Sequence, residues 1–112
     1  MRNPSRMYIA WTTLAARADA DKLAAEVVSL GLATCVQLEG PIVSHYLWQG
    51  WPEKTEEFRL CFKFLPDQLA ALEAHVLMHH TYAVPEWLVV RAEHVGEKYL
   101  SWARSNSSTP PL

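Results

Sequence analysis

The sequence predicts an α+β domain: a βαββαβ chain that lays one antiparallel sheet under two helices on a single face, with a short further helix at its C-terminal end. Three observations carry that prediction. Segments rich in β-formers and segments with helical spacing succeed one another in that order. One strand, Glu56 to Phe64, alternates so that Phe58, Leu60, Phe62 and Phe64 share one face and Glu57, Arg59, Cys61 and Lys63 the other. With 112 residues the chain can bury one core but not two.

Met7 to Thr13 is a short β-rich run and supplies the first strand. Asp19 and Asp21 then open a helix in which Leu23, Val27 and Leu30 recur at i, i+4 and i+7, with both acids near the positive end of the dipole. Gly31 follows as a left-handed C-terminal cap. Ala33 to Leu38 and Ile42 to Trp48 are two apolar halves of one strand, interrupted by Glu39-Gly40-Pro41, where a bulge or kink is expected because proline cannot donate to a ladder. Gln49-Gly50-Trp51-Pro52 is turn chemistry, and Glu56 to Phe64 pairs back on the preceding strand. Pro66-Asp67 starts the second helix, with Leu65, Leu69, Leu72 and Val76 on one stripe. Trp87 to Arg91 is the fourth strand, and Tyr99 with Trp102 or Ala103 gives an apolar side to a short helix over Glu97 to Arg104. The division is an N-terminal extension over 1–6, one domain over 7–105 and a polar, proline-rich tail over 106–112, expected to be mobile. This order is the ferredoxin-like split βαβ arrangement. Its second sheet face must be polar, oligomeric or covered by a ligand, and Tyr46, Trp48 and Trp51 favour the oligomeric answer.

Composition narrows the function classes. A formal charge of −2 gives no basic footprint for nucleic acid. No apolar run approaches the roughly 20 residues that span a bilayer, so no membrane partner is expected. Met1 to Arg6 is charged, and polar Thr12-Thr13 cuts short any apolar stretch behind it, so a cytoplasmic protein rather than a secreted one is expected. Cys35 and Cys61 then read as reduced thiols, not a disulfide framework. Five Trp and four Tyr are many for this length and suit an interface. No GxGxxG, phosphate loop, HExxH or recognisable Ser/His/Asp set occurs, so the chain is not expected to be an enzyme.

Five segments in order carry a resemblance: Leu32-Ala33-Thr34-Cys35-Val36-Gln37, Pro41 to Gly50 with its Tyr46, Trp48 and Gly50, the strand ends Glu57 and Lys63, the loop His80-Thr81-Tyr82-Ala83-Val84-Pro85-Glu86, and Tyr99-Leu100-Ser101-Trp102. Together they resemble the CutA divalent-cation tolerance family from about Met7 to Trp102. The resemblance implies a homotrimer of ferredoxin-like subunits connected with tolerance of copper and other divalent cations. It also implies a signalling role related to PII-type proteins, with a protein partner that the sequence does not identify. Two positions depart from the family pattern. Thr81 stands where proline is usual, which would loosen the loop and the aim of His80, and Gln37 replaces the commoner asparagine.

The resemblance implies inter-subunit clefts built from Gln37, Glu57, Lys63, Tyr82 and Glu86, with Cys35 and His80 as metal ligands and Trp48 as an interface anchor. Read as chemistry alone, the Cys35 thiolate suits copper or zinc, yet free cysteine is also a common buried strand residue. His80 could take a metal or cap the second helix. His75 and His79 share a helix face and could hold a divalent cation weakly, or simply be solvated. His45 and His94 carry no signal. Glu57 and Lys63 lie roughly 20 Å apart along one strand, so each needs another partner. Glu86 is either a ligand contact or an interfacial partner for Lys63 or Arg91. Two other readings stay open: a structural assembly module with incidental metal binding, and a small enzyme using Cys35 with His80, whose thiol would then lie within hydrogen-bond reach of the imidazole.

Overall fold

The chain folds as β1 (Tyr8–Leu14), α1 (Arg17–Ser29), β2 (Cys35–Trp48), β3 (Trp51–Phe64), α2 (Leu69–His79), β4 (Leu88–Arg91) and α3 (Glu97–Ser105) in a computed structural model that describes residues 7–106. The expected extension over 1–6 and residues 107–112 of the expected tail lie outside the described residues. Asn106 caps α3, its backbone N–H and Nδ2 both donating to the Trp102 carbonyl at 3.0 and 2.9 Å.

The four strands form one antiparallel sheet in the order β2-β3-β1-β4. Alternation along β3 puts Leu60, Phe62 and Phe64 against α1 and α2, where each is fully buried with Leu72 and Val76 of α2 and Val27 of α1. The predicted α2 stripe is therefore the buried one, entered through a 3₁₀ turn at Pro66–Gln68. Gln68, which has no apolar character, is buried there. Its Oε1 accepts from the Leu65 N–H at 2.8 Å and its Nε2 donates to the Gly31 carbonyl at 2.9 Å, tying α2 to the end of α1.

α1 begins at Arg17, two residues before the expected Asp19, and its inward face is Ala20, Leu23 and Val27. Leu30, expected as the last member of that stripe, is 58% exposed. The reason is the cap. Gly31 at φ 71° turns the chain, with its N–H on the Val28 carbonyl and the Leu32 N–H on the Val27 carbonyl, so Leu32 and not Leu30 packs against the core.

β2 runs unbroken through Glu39-Gly40-Pro41, with the expected irregularity visible as a register shift between Glu39 and Ile42. Gly40 sits at φ 145°, and a Cβ there would lie 2.8 Å from Phe58 Cδ2 and 3.1 Å from the Glu57 carbonyl. β3 starts at Trp51, five residues earlier than expected. Trp51 and Pro52 pair with Trp48 and Leu47, and the turn is only Gln49-Gly50, both at positive φ. A two-residue turn of that kind matches the twist of the strands it joins. Pro52 is tolerated because this part of β3 has one neighbour only.

That last point shapes the molecule. β1 pairs with β3 only over Phe58–Phe64, so residues 42–57 form a hairpin that leaves the sheet. Seven residues per strand project it by roughly 23 Å, and the molecule measures 47 × 27 × 21 Å. The second sheet face is partly covered by the chain itself. Tyr99 of α3 sits beside Cys35 and Cys61, and Ala103 is fully buried.

Candidate functional site

The loop after α2 is held by contacts to two strands, β1 and β3, and to α2 itself. His80 leaves the helix in an extended conformation, φ −74° and ψ 144°. Its Nε2 lies 2.9 Å from the Thr13 carbonyl, which can only accept, and its Nδ1 lies 3.0 Å from the Tyr82 amide N–H, which can only donate. The imidazole is thus the neutral Nε2–H tautomer with both nitrogens engaged. Burial holds its pKa below the usual histidine value, opposed by the Thr13 bond and by Glu57. Thr81 in place of proline leaves this intact, because the amide that fixes the ring belongs to Tyr82.

The Tyr82 hydroxyl donates to Glu57 Oε2 at 2.7 Å, and its ring lies 5.0 Å from that of His80. Burial, then the Glu57 carboxylate, pushes the phenol pKa well above its ordinary value. Glu57 is 8% exposed, so the strand acid that solvent would ordinarily cover is enclosed by Tyr82. Glu86 follows on the same loop, its pKa raised by burial and by Glu57 and lowered by Arg59. Among the described residues the charged groups that act on it are therefore Glu57 and Arg59, and not Lys63 or Arg91. The Thr12 hydroxyl donates to the Glu86 carbonyl at 2.7 Å, and Trp87 Nε1–H donates to Glu73 Oε1 at 3.0 Å. Between this loop and the projecting hairpin lies an open groove of ≈ 1050 Å³ bordered by Thr13, His45, Tyr46, Trp48, Glu57, Tyr82 and Glu86.

The remaining nominated residues stand elsewhere. Cys35 pairs with Lys63 and Gln37 with Cys61, at the far end of β3 from Glu57. Cys35 is half-buried, with Tyr99 and not His80 beside it. Burial raises the Cys61 thiol pKa, against the pull of Lys63. The chain thus brings His80, Tyr82, Glu57 and Glu86 together and holds Cys35, Gln37 and Lys63 apart from them, so the Cys35–His80 pair of the enzyme reading is not assembled within it. A metal at His80 must displace one of two existing hydrogen bonds. Among the described residues no three His, Cys, Asp or Glu side chains close into a ready metal cage, and no helix is long and apolar enough to cross a membrane. Sequence reasoning missed Thr12, Thr13 and Glu73, which fix the loop. Two act through long-range contacts to backbone carbonyls or through a carbonyl itself, and such contacts leave no trace in residue type.

Comparison with known proteins agrees with this architecture. The family model described as CutA1 divalent ion tolerance protein matches residues 8–106. The divalent-cation tolerance protein CutA of Yersinia pestis (strain Pestoides F) is 35% identical over 102 residues, covering 91% of this chain and 86% of that protein. The CutA structure from Synechococcus elongatus PCC7942 is 36% identical with a TM-score of 0.87, covering 93% of this chain and 92% of the other. A protein from Archaeoglobus fulgidus, named a periplasmic divalent cation tolerance protein CutA, shares the fold at TM-score 0.86 and 24% identity, over 91% and 99% of the two chains. With the four-stranded antiparallel sheet, the motif loop and these likenesses in agreement, the chain belongs to the CutA1 divalent ion tolerance protein family.

Proposed function

We propose that this chain acts in divalent-cation tolerance as a homotrimer that binds copper, or another divalent cation or small ligand, at clefts completed between subunits. The observation that carries this reading is the hairpin over residues 42–57. Among the described residues it has no partner strand beyond its own two arms, and it exposes Leu47 at 71%, Trp48 at 48% and Trp51 at 73%. An isolated two-stranded hairpin is marginal in water, and indole rings at its tip suit a protein surface better than solvent. A neighbouring subunit laid along it would roof the groove beside His80, Tyr82, Glu57 and Glu86. Cys35, Gln37 and Lys63 would meet partners from a second copy, since they have none of the other group in their own. Cys35 is the soft donor of the set, and His80 would join it through Nδ1 on release of the Tyr82 amide. The proposed compartment is the cytoplasm, where both free thiols would stay reduced. The proposed role is tolerance or signalling through a protein partner rather than catalysis.

A second reading has one observation in its favour. The internal bonds of His80 and of Glu57 to Tyr82 suit residues that hold the loop for assembly, with metal binding incidental. The two are separated by calorimetric titration of the reduced protein with Cu²⁺ and Zn²⁺, its mass fixed by light scattering. The proposal expects a trimer with a saturable step that Cys35→Ser or His80→Ala weakens at least tenfold, about 1.4 kcal/mol. A trimer in which neither substitution alters any binding step would favour the assembly reading.

A further inference from the structure

We propose that His75 and His79 of α2, with Glu26 of α1, form a separate cation site on the outer helical surface that takes a borderline divalent ion such as Zn²⁺. The two histidines stand four apart on α2, with ring centroids 4.2 Å apart and planes inclined at 33°. His79 Nδ1 lies 2.9 Å from the His75 carbonyl. A carbonyl only accepts, so Nδ1 carries the proton and the Nε2 lone pair of the neutral ring is unclaimed. His75 Nε2 lies 3.3 Å from Glu26 Oε1. That is long for a charge-assisted hydrogen bond, but two ligands of a tetrahedral zinc, bonded at about 2.0–2.2 Å, stand about 3.4 Å apart. The separation thus matches that of two ligands sharing one ion, which lies off the N···O line once the imidazole and the carboxylate turn towards it. The Nε2 proton that the ion displaces goes to Nδ1 of a neutral His75, or to solvent from an imidazolium.

The three groups do not close into a cage as they stand. His79 is stacked on His75 and exposed, so rotation about its side-chain torsions carries Nε2 towards the ion, the Nδ1–H bond to the His75 carbonyl being exchanged for one to water. The site is open to water for the remaining coordination, with the His75 and Glu26 side chains 15% and 37% accessible. Two imidazoles and one carboxylate select zinc, copper or nickel over magnesium or calcium, which prefer oxygen throughout. None of the three residues belongs to the cleft. His79 precedes His80 in sequence, but the His80 ring is turned to the Thr13 carbonyl. Bound there, the ion clips α1 to α2 and stabilises the folded chain by mass action.

The test is a zinc titration, by calorimetry and by thermal unfolding, of the reduced Cys35→Ser protein with and without His79→Gln or Glu26→Gln. The expected result is a saturable zinc step and a raised unfolding midpoint in Cys35→Ser. His79→Gln should weaken that step at least tenfold and abolish the rise, and Glu26→Gln should weaken it by less. An unchanged isotherm with His79→Gln overturns the site, as does the absence of any saturable zinc step in Cys35→Ser. A step that survives His79→Gln but is lost in His80→Gln would place the ion in the cleft and equally overturn it.

Discussion

His80 shows how one side chain can carry a pH dependence by being fixed as a neutral ring. Its folded pKa lies below the unfolded value of 6.5 because burial disfavours the imidazolium. Below pH 6.5 the unfolded chain therefore binds the larger number of protons, and stability contributed by the neutral ring is present above 6.5 and lost as pH falls through the folded pKa. Glu86 works in the opposite direction, since its pKa is raised in the fold and its protonation on acidification favours the folded state. Comparing wild type with His80→Gln isolates the histidine. Urea midpoints measured between pH 5 and 7.5 should fall more steeply on acidification in wild type than in the variant, and parallel curves would remove His80 as the source.

At the scale of elements, the irregularity in β2 is where backbone conformation and packing coincide. Gly40 is the only residue type that adopts φ 145° freely, and a Cβ would press on Phe58 and the Glu57 carbonyl as well. Gly40→Ala should cost about 1–3 kcal/mol by urea denaturation. It should also disturb the groove, because Phe58 and Glu57 are adjacent on β3; a variant as stable as wild type would show that the bulge relaxes without cost. The α1 cap makes a related point. The spacing of Leu23, Val27 and Leu30 is helical throughout, yet Leu30 is the cap residue and faces outward. Periodicity reports which residues share a stripe, not where the helix stops.

For the whole molecule, the projecting hairpin is surface that the described residues leave without cover. Trp48 lies across the β2–β3 pair from Trp51, and both are exposed. If they anchor a neighbouring subunit, Trp48→Ala should raise the dissociation constant of the assembly at least tenfold, as loss of a central aromatic does at other interfaces. Light scattering across a dilution series measures this, and a variant that stays trimeric at micromolar concentration would show that the anchor lies elsewhere.

The sequence by itself determined the order of elements, the buried stripe of α2 and the strict alternation of β3, because each is a local periodicity that burial on one side imposes. It also determined the family, through the motif segments. The turn at Gln49-Gly50 was blurred by Trp51 and Pro52, whose residue types suit a turn but which register places in the strand. Only the tertiary structure decided that Tyr82 encloses Glu57, that the Thr13 carbonyl fixes the tautomer of His80, and that Cys35 stands apart from both. It alone placed Glu26 beside His75 and α3 on the second sheet face. These contacts join residues far apart in the chain through backbone groups common to every residue or through single polar atoms, so no spacing or composition encodes them.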